Sequence, residues 1–77
     1  MTRFSFSHFA ELIEIDDETV LKTVSMADHE VSQTQVRSML AYKMGKSRTL
    51  ESLRRLTVSG KLQAAIGDHN AKLYRAD

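Results

Sequence analysis

From Ser32 to Arg75, two helical stripes and two alternating runs are separated by Gly45, Gly60 and Gly67, and the chain has no proline. That order reads as helix, tight turn, helix, two-stranded hairpin. Ser32 followed three residues later by Gln35 matches a capping box, in which each side chain bonds the other residue's backbone N–H, so a helix starts there. Val36, Met39, Leu40 and Lys43 fall on one side of it and Thr34, Arg37, Ser38 and Ala41 on the other. Gly45 is expected to end this helix in the left-handed conformation that glycine adopts at little cost. Ser47 or Thr49 is expected to cap the next helix, with Leu50, Leu53, Leu56 and Thr57 turned inward. At about 100° per residue the opposite face then carries Arg48, Glu51, Ser52, Arg55 and Ser59, with Arg54 at its margin. Gly60 stops the helix. Leu62, Ala64 and Ile66, then Ala71, Leu73 and Arg75, alternate with their neighbours, and Gly67-Asp68-His69-Asn70 is a turn-forming link between them.

The first thirty residues read as two helical pieces. Phe4-Ser5-Phe6-Ser7 begins with strand-like alternation before Phe9, Leu12 and Ile13 take up helical spacing, and Ser5 or Ser7 is a candidate cap. Asp16-Asp17-Glu18 then reads as the cap and acidic first turn of a second helix over about residues 17–27, with Val20, Leu21, Val24 and Ala27 on one face. His29-Glu30-Val31 is short enough for a turn or a brief strand.

With 77 residues this is one domain, of a size at which one apolar core supplies only about 3 to 5 kcal/mol. There is no cysteine, hence no disulfide and no thiolate metal site, which suits a reducing cytoplasm and makes a homodimer the expected source of further stability. An apolar fraction of 42% with 27% charged residues argues against disorder. No apolar run approaches membrane-spanning length, so the expected location is cytoplasmic.

The net charge of +1 conceals a polarity. Residues 1–30 set Arg3 and Lys22 against seven acidic groups, whereas residues 31–77 set nine cations against Glu51, Asp68 and Asp77. A polyanion is drawn to the second half and repelled by the first. The competing explanation is two oppositely charged surfaces packed on each other, within one chain or between two.

The residues Ser47-Arg48-Thr49-Leu50, Leu53-Arg54-Arg55-Leu56, Gly60-Lys61-Leu62 and Leu73-Tyr74-Arg75 together resemble a winged helix-turn-helix domain over about residues 17–75, with residues 1–15 as a helical extension. The resemblance implies a mainly α fold with a small C-terminal β-hairpin. It also implies a small transcriptional or mobile-element regulator that binds double-stranded DNA as a dimer, the second helix of the pair in the major groove and the wing on nearby phosphates. Carried onto this sequence, Arg48, Ser52 and Arg55 become groove-facing and Lys61, His69, Asn70 and Lys72 wing contacts, with Lys46, Ser47 and Thr49 as further DNA-binding candidates. Residues 9–40, especially Ala27-Asp28-His29-Glu30-Val31-Ser32 and Gln35-Val36, are also similar to one repeat of a small bacterial two-repeat helical family of unestablished function. That likeness stops after residue 43 and implies only that a single-repeat chain pairs with itself.

On the DNA reading, the forks of Arg48 and Arg55 would each bond guanine O6 and N7, while Lys46, Lys61 and Lys72, as point charges, suit phosphate. The alternative for Arg55 is an i,i+4 pair with Glu51 on an ordinary soluble helix. Phe4, Phe6, Phe9, Leu12 and Ile13 are either a cover for the domain's own core or the seam of a two-fold dimer, which would set two reading helices about 34 Å apart. His8, His29 and His69 lie too far apart for a metal-ligand spacing, and no triad or phosphate-cradling glycine loop is visible, so no cofactor, metal or enzymatic activity is expected. The rival function is a protein-interaction module that uses the same fold without DNA.

Overall fold

No glycine or proline interrupts the chain before Gly45, and its first third forms one long helix, α1, over Thr2–Ser25. The computed structural model describes the backbone of residues 2–76 and the side chains of residues 11–76. The two expected N-terminal helices are therefore one. Asp16 and Asp17 lie inside α1 rather than capping a new helix, because nothing at Ile13-Glu14-Ile15 breaks the backbone bonding pattern.

Val31–Ser32 forms a brief strand, β1, which hands directly to α2 at Gln33–Leu40. The capping box forms as its spacing requires: Gln35 N–H donates to Ser32 Oγ at 3.1 Å, and Ser32 N–H donates to Gln35 Oε1 at 2.8 Å. Helix α2 ends earlier than expected, at Leu40, and four residues of turn lead to Gly45. Gly45 is not left-handed: with φ −73° and ψ 168° it is the extended residue that starts α3, Lys46–Val58. Ser47 and Thr49 consequently sit within the first turn of α3, which has no side-chain cap.

At its other end α3 stops as expected. Gly60 takes φ +84°, its N–H bonds Thr57 C=O at 3.1 Å, and Lys61 N–H bonds Leu56 C=O at 2.9 Å. This is the paired C-terminal closure that needs a left-handed residue. Leu62–Ile66 (β2) and Lys72–Ala76 (β3) form the hairpin, joined through a 3₁₀ turn at Asp68–Asn70 in which His69 and Asn70 both have positive φ.

β3 is the centre of a three-stranded antiparallel sheet of order β1-β3-β2, with Tyr74 facing Val31 on one side and Ala64 on the other. The core lies between α1, α2, α3 and this sheet, built from Val20, Val24, Val31, Val36, Leu40, Met44, Leu53, Leu56, Leu62 and Tyr74. The molecule is thus mainly helical with a small antiparallel sheet. Its longest extent, 48 Å against 25 and 22 Å, follows from α1, whose 24 residues span about 36 Å.

Candidate nucleic-acid interface

Helix α3 has four distinguishable sides. Thr49, Ser52, Leu53 and Leu56 are buried and define its inner side. The inner side is therefore centred between Ser52 and Leu53, rotated by roughly 60° from the direction that the leucines and Thr57 alone indicate. Thr49 and Ser52 are both 0% exposed, which removes them from any groove-reading role. Their polar atoms are satisfied internally: Thr49 Oγ1 donates to Gly45 C=O at 3.0 Å, and Ser52 Oγ donates to Asp17 Oδ1.

The side facing α1 carries Arg48 and Arg55, and each meets an acidic residue of that helix. Arg48 donates through Nε (3.0 Å) and Nη2 (2.5 Å) to the two oxygens of Asp16, which is buried. Arg55 donates to Asp17 through Nη2 at 2.8 Å and Nε at 3.2 Å. Burial acts to raise the Asp17 carboxyl, but the Arg55 and Ser52 hydrogen bonds outweigh it and hold it below the usual carboxylate range. The Asp16 and Asp17 hydrogen bonds raise Arg48 and Arg55 above the usual guanidinium value. Both arginines thus turn their forks to carboxylates of α1 rather than presenting them free as expected, while the Arg48 side chain stays 53% exposed. The acidic cluster that resembled a helix cap is their counter-charge. Lys61 is exposed between Gly60 and the start of β2, and its charge also acts to lower Asp17.

The outward side of α3, opposite the buried one, holds Ser47, Glu51, Arg54 and Val58, all exposed. Among the described residues neither Glu51 nor Arg54 forms an ion pair. Leu50 and Thr57 lie on the fourth side, toward the hairpin, where a groove of about 370 Å³ runs between α3 and the sheet. Leu50, Val58, Ala64, Ala65 and Ile66 give this groove an apolar surface, and Arg54 and Lys72 supply its cations. A second depression, beside the start of α3, is lined by Thr34, Arg37, Ser38, Gly45 and Lys46. Arg37 Nε is buried there without a hydrogen-bond acceptor.

The outward concavity and the groove share lining residues, and the depression at the α3 start adjoins them in sequence through Lys46 and Ser47. Arg37 and Lys46 share the depression at the α3 start, Ser47 follows, Leu50 and Arg54 border both the outward concavity and the groove, and Lys72 lies across the groove. Of the sequence-derived candidates, the structure brings Lys46, Ser47 and Lys72 to this surface and puts His69 and Asn70 at the exposed hairpin tip. Arg37, Leu50 and Arg54 were not among the candidates. The one available signal for Arg54 was its position opposite Thr49, Ser52 and Leu56, which becomes visible only if buried hydroxyls are counted with the leucines.

Of the expected seam residues, Leu12 is 40% exposed and Ile13 partly buried, and the neighbouring Ile15 is 56% exposed. The side chains of Phe4, Phe6 and Phe9 lie outside the described residues. No helix among the described residues is long and apolar enough to cross a membrane. No family model, curated protein or solved structure matches this chain.

Proposed function

We propose that the chain binds double-stranded DNA through the surface that runs from Arg37 and Lys46 across Arg54 to Lys72. In this reading the domain is a winged helix-turn-helix: α2 and α3 are the helical pair, β2 and β3 the wing, and α3 enters the major groove outward side first. The observation that carries it is that Arg37 and Lys46 line one depression and Arg54 and Lys72 one groove, with none of the four in an ion pair among the described residues, while the two arginines on the side of α3 facing α1 pair with Asp16 and Asp17. Arg54 is the base reader, because it is exposed on the outward side of α3 with a forked donor set. Lys46 and Lys72 bind phosphate, and so does Arg37, which lines the same depression as Lys46. His69 and Asn70 reach the DNA at the hairpin tip. Leu12 and Ile15 supply a dimer seam, so that two copies span a palindromic site.

The test is titration of a mixed duplex pool with the purified chain at about 50 and 200 mM salt, where each phosphate contact steepens the loss of affinity. Affinity that falls steeply with salt, and falls further in Arg54→Ala, supports the reading. Absence of salt-sensitive binding removes it. A second reading has its own observation: Val58 and Ile66, 82% and 64% exposed, border an apolar groove that would suit a protein partner. That reading prevails if a protein ligand is captured with an affinity that Arg54→Ala and Lys72→Ala leave unchanged and DNA is not bound.

A further inference from the structure

Strand β2 forms one edge of the sheet, bonded to β3 on one side and, among the described residues, to no strand on the other. Exposed edges are ordinarily blunted by a charge, a proline or a bulge. Leu62-Gln63-Ala64-Ala65-Ile66 has neither charge nor proline, and its register with β3 runs without a bulge. The hairpin also shows which backbone groups this edge offers. Gly67 N–H donates to Ala71 C=O at 2.7 Å, so Gly67 turns its backbone toward β3, and by strand alternation Ala65 does the same. Ala64 and Ile66 then direct N–H and C=O outward, away from β3.

The groove beside α3 follows this edge. Ala64, Ala65 and Ile66 line it in succession, although alternation turns the Ala65 side chain to the other face of the sheet, so the groove reaches the backbone of β2. Its α3 wall carries Leu50, Arg54 and Val58 on successive turns, and Lys72 enters from β3, opposite Ile66 in the ladder. Val58 and Ile66 remain largely exposed, no carboxylate lines the groove, and neither Arg54 nor Lys72 forms an ion pair among the described residues. An outward-facing ladder, an apolar wall and two cations together fit an occupant with extended backbone, apolar side chains and negative charge. The β2 strand of a second copy would bring no carboxylate.

We infer that β2 accepts, as a fourth strand, an extended segment of a partner protein that turns apolar side chains and a carboxylate into the groove, the carboxylate toward Arg54 and Lys72. Main-chain bonds to Ala64 and Ile66 supply affinity, and the two cations supply the preference for an acidic segment. The site goes beyond the DNA-binding reading and does not depend on it. It shares Arg54 and Lys72 with that reading, so segment and duplex exclude each other where both bind.

A displayed library of short random peptides is selected on the full chain, and an enriched peptide is synthesised and titrated. Enriched sequences are expected to carry Asp or Glu among β-branched or aromatic residues. Binding is expected to slow amide hydrogen exchange at Ala64 and Ile66, a mark of strand addition that a helix lying in the groove would not leave. Lys72→Glu and Arg54→Glu should each weaken the peptide about tenfold. Ala64→Pro removes an outward N–H and no bond to β3, and should weaken it about fivefold, the factor for one lost hydrogen bond. Circular dichroism confirms that the variants fold, and the exchange measurement on the unaltered chain decides should Ala64→Pro not do so. The inference is overturned by no enriched peptide, enrichment without acidic residues, binding indifferent to both charge reversals, or binding without protection at Ala64 and Ile66. It is overturned equally if those amides gain protection in the chain alone as its concentration rises, which would put a second copy on the edge. These outcomes leave salt-sensitive duplex binding untouched, and absence of that binding removes the DNA reading while this inference stands.

Discussion

Ser52 is fully buried in the α1–α3 interface, and its hydroxyl finds its acceptor in Asp17, which also receives Arg55. Removing that carboxylate leaves a buried hydroxyl and a half-buried guanidinium without their acceptor, so Asp17→Ala is expected to cost about 1 to 2 kcal/mol in urea unfolding at neutral pH. The effect depends on pH with a definite sign. Asp17 is held below its unfolded value, so its contribution is complete above the ordinary carboxylate range near pH 4 and is lost as pH falls through the lowered native value. The difference between wild type and variant should therefore shrink on acidification toward about pH 2, and a difference independent of pH would contradict this account. The same residues explain what hydrophobic periodicity misses. Leu53 and Leu56 mark the inner side correctly, but Leu50 and Thr57 pull the apparent stripe toward the hairpin, and Thr49 and Ser52 are polar residues in buried positions. Hydrophobicity assigns a buried hydroxyl to solvent, and only the partner, here Asp17 or Gly45 C=O, shows otherwise.

The elements most legible in the sequence are those fixed by local bonding. Ser32 and Gln35 need only each other's backbone, and Gly60 needs only the freedom of a residue without Cβ, so both ends are readable without knowledge of the core. Gly45 has no such signature of its own. It resembles a helix stop but is an extended helix start, because α2 has already ended four residues earlier. These positions respond differently to substitution. Gly60→Ala places a Cβ at φ +84° and is expected to destabilise by about 1 to 2 kcal/mol. Gly45→Ser meets no atom within 4 Å at its Cβ and supplies the cap that α3 lacks, for an expected gain of a few tenths of a kcal/mol. Thermal unfolding of the two variants beside Ser32→Ala, which loses about 1 kcal/mol with its capping box, checks the assignment of all three ends. Helix α1 was the least legible, since Asp16-Asp17-Glu18 has the composition of a first turn and its real partners lie more than thirty residues away.

At the scale of the whole molecule, the division into an acidic and a basic half has two consequences that the sequence alone could not separate. Part of it is structural: Asp16 and Asp17 pair with Arg48 and Arg55, which accords with oppositely charged surfaces packing within one chain. The remainder faces solvent, with Glu11, Glu14 and Glu18 exposed on α1 and Lys46, Arg54 and Lys72 exposed on the opposing elements. If the stretch of α1 around Leu12 and Ile15 joins two copies, Ile15→Asp should convert the sedimentation profile from dimer to monomer and weaken binding to a palindromic duplex more than to a half-site. Salt dependence then separates the two kinds of cation. A residue already paired with a carboxylate of its own chain displaces few counterions from DNA, so the slope of log affinity against log salt counts the phosphate contacts of Arg37, Lys46 and Lys72 but not Arg48 or Arg55. Three such contacts give a slope of about −2.7 per protomer. Lys72→Ala should reduce its magnitude by about 0.9. Arg48→Ala should leave the slope in place even where it lowers stability, and a reduction equal to that of Lys72→Ala would show that Arg48 exchanges Asp16 for phosphate when DNA binds.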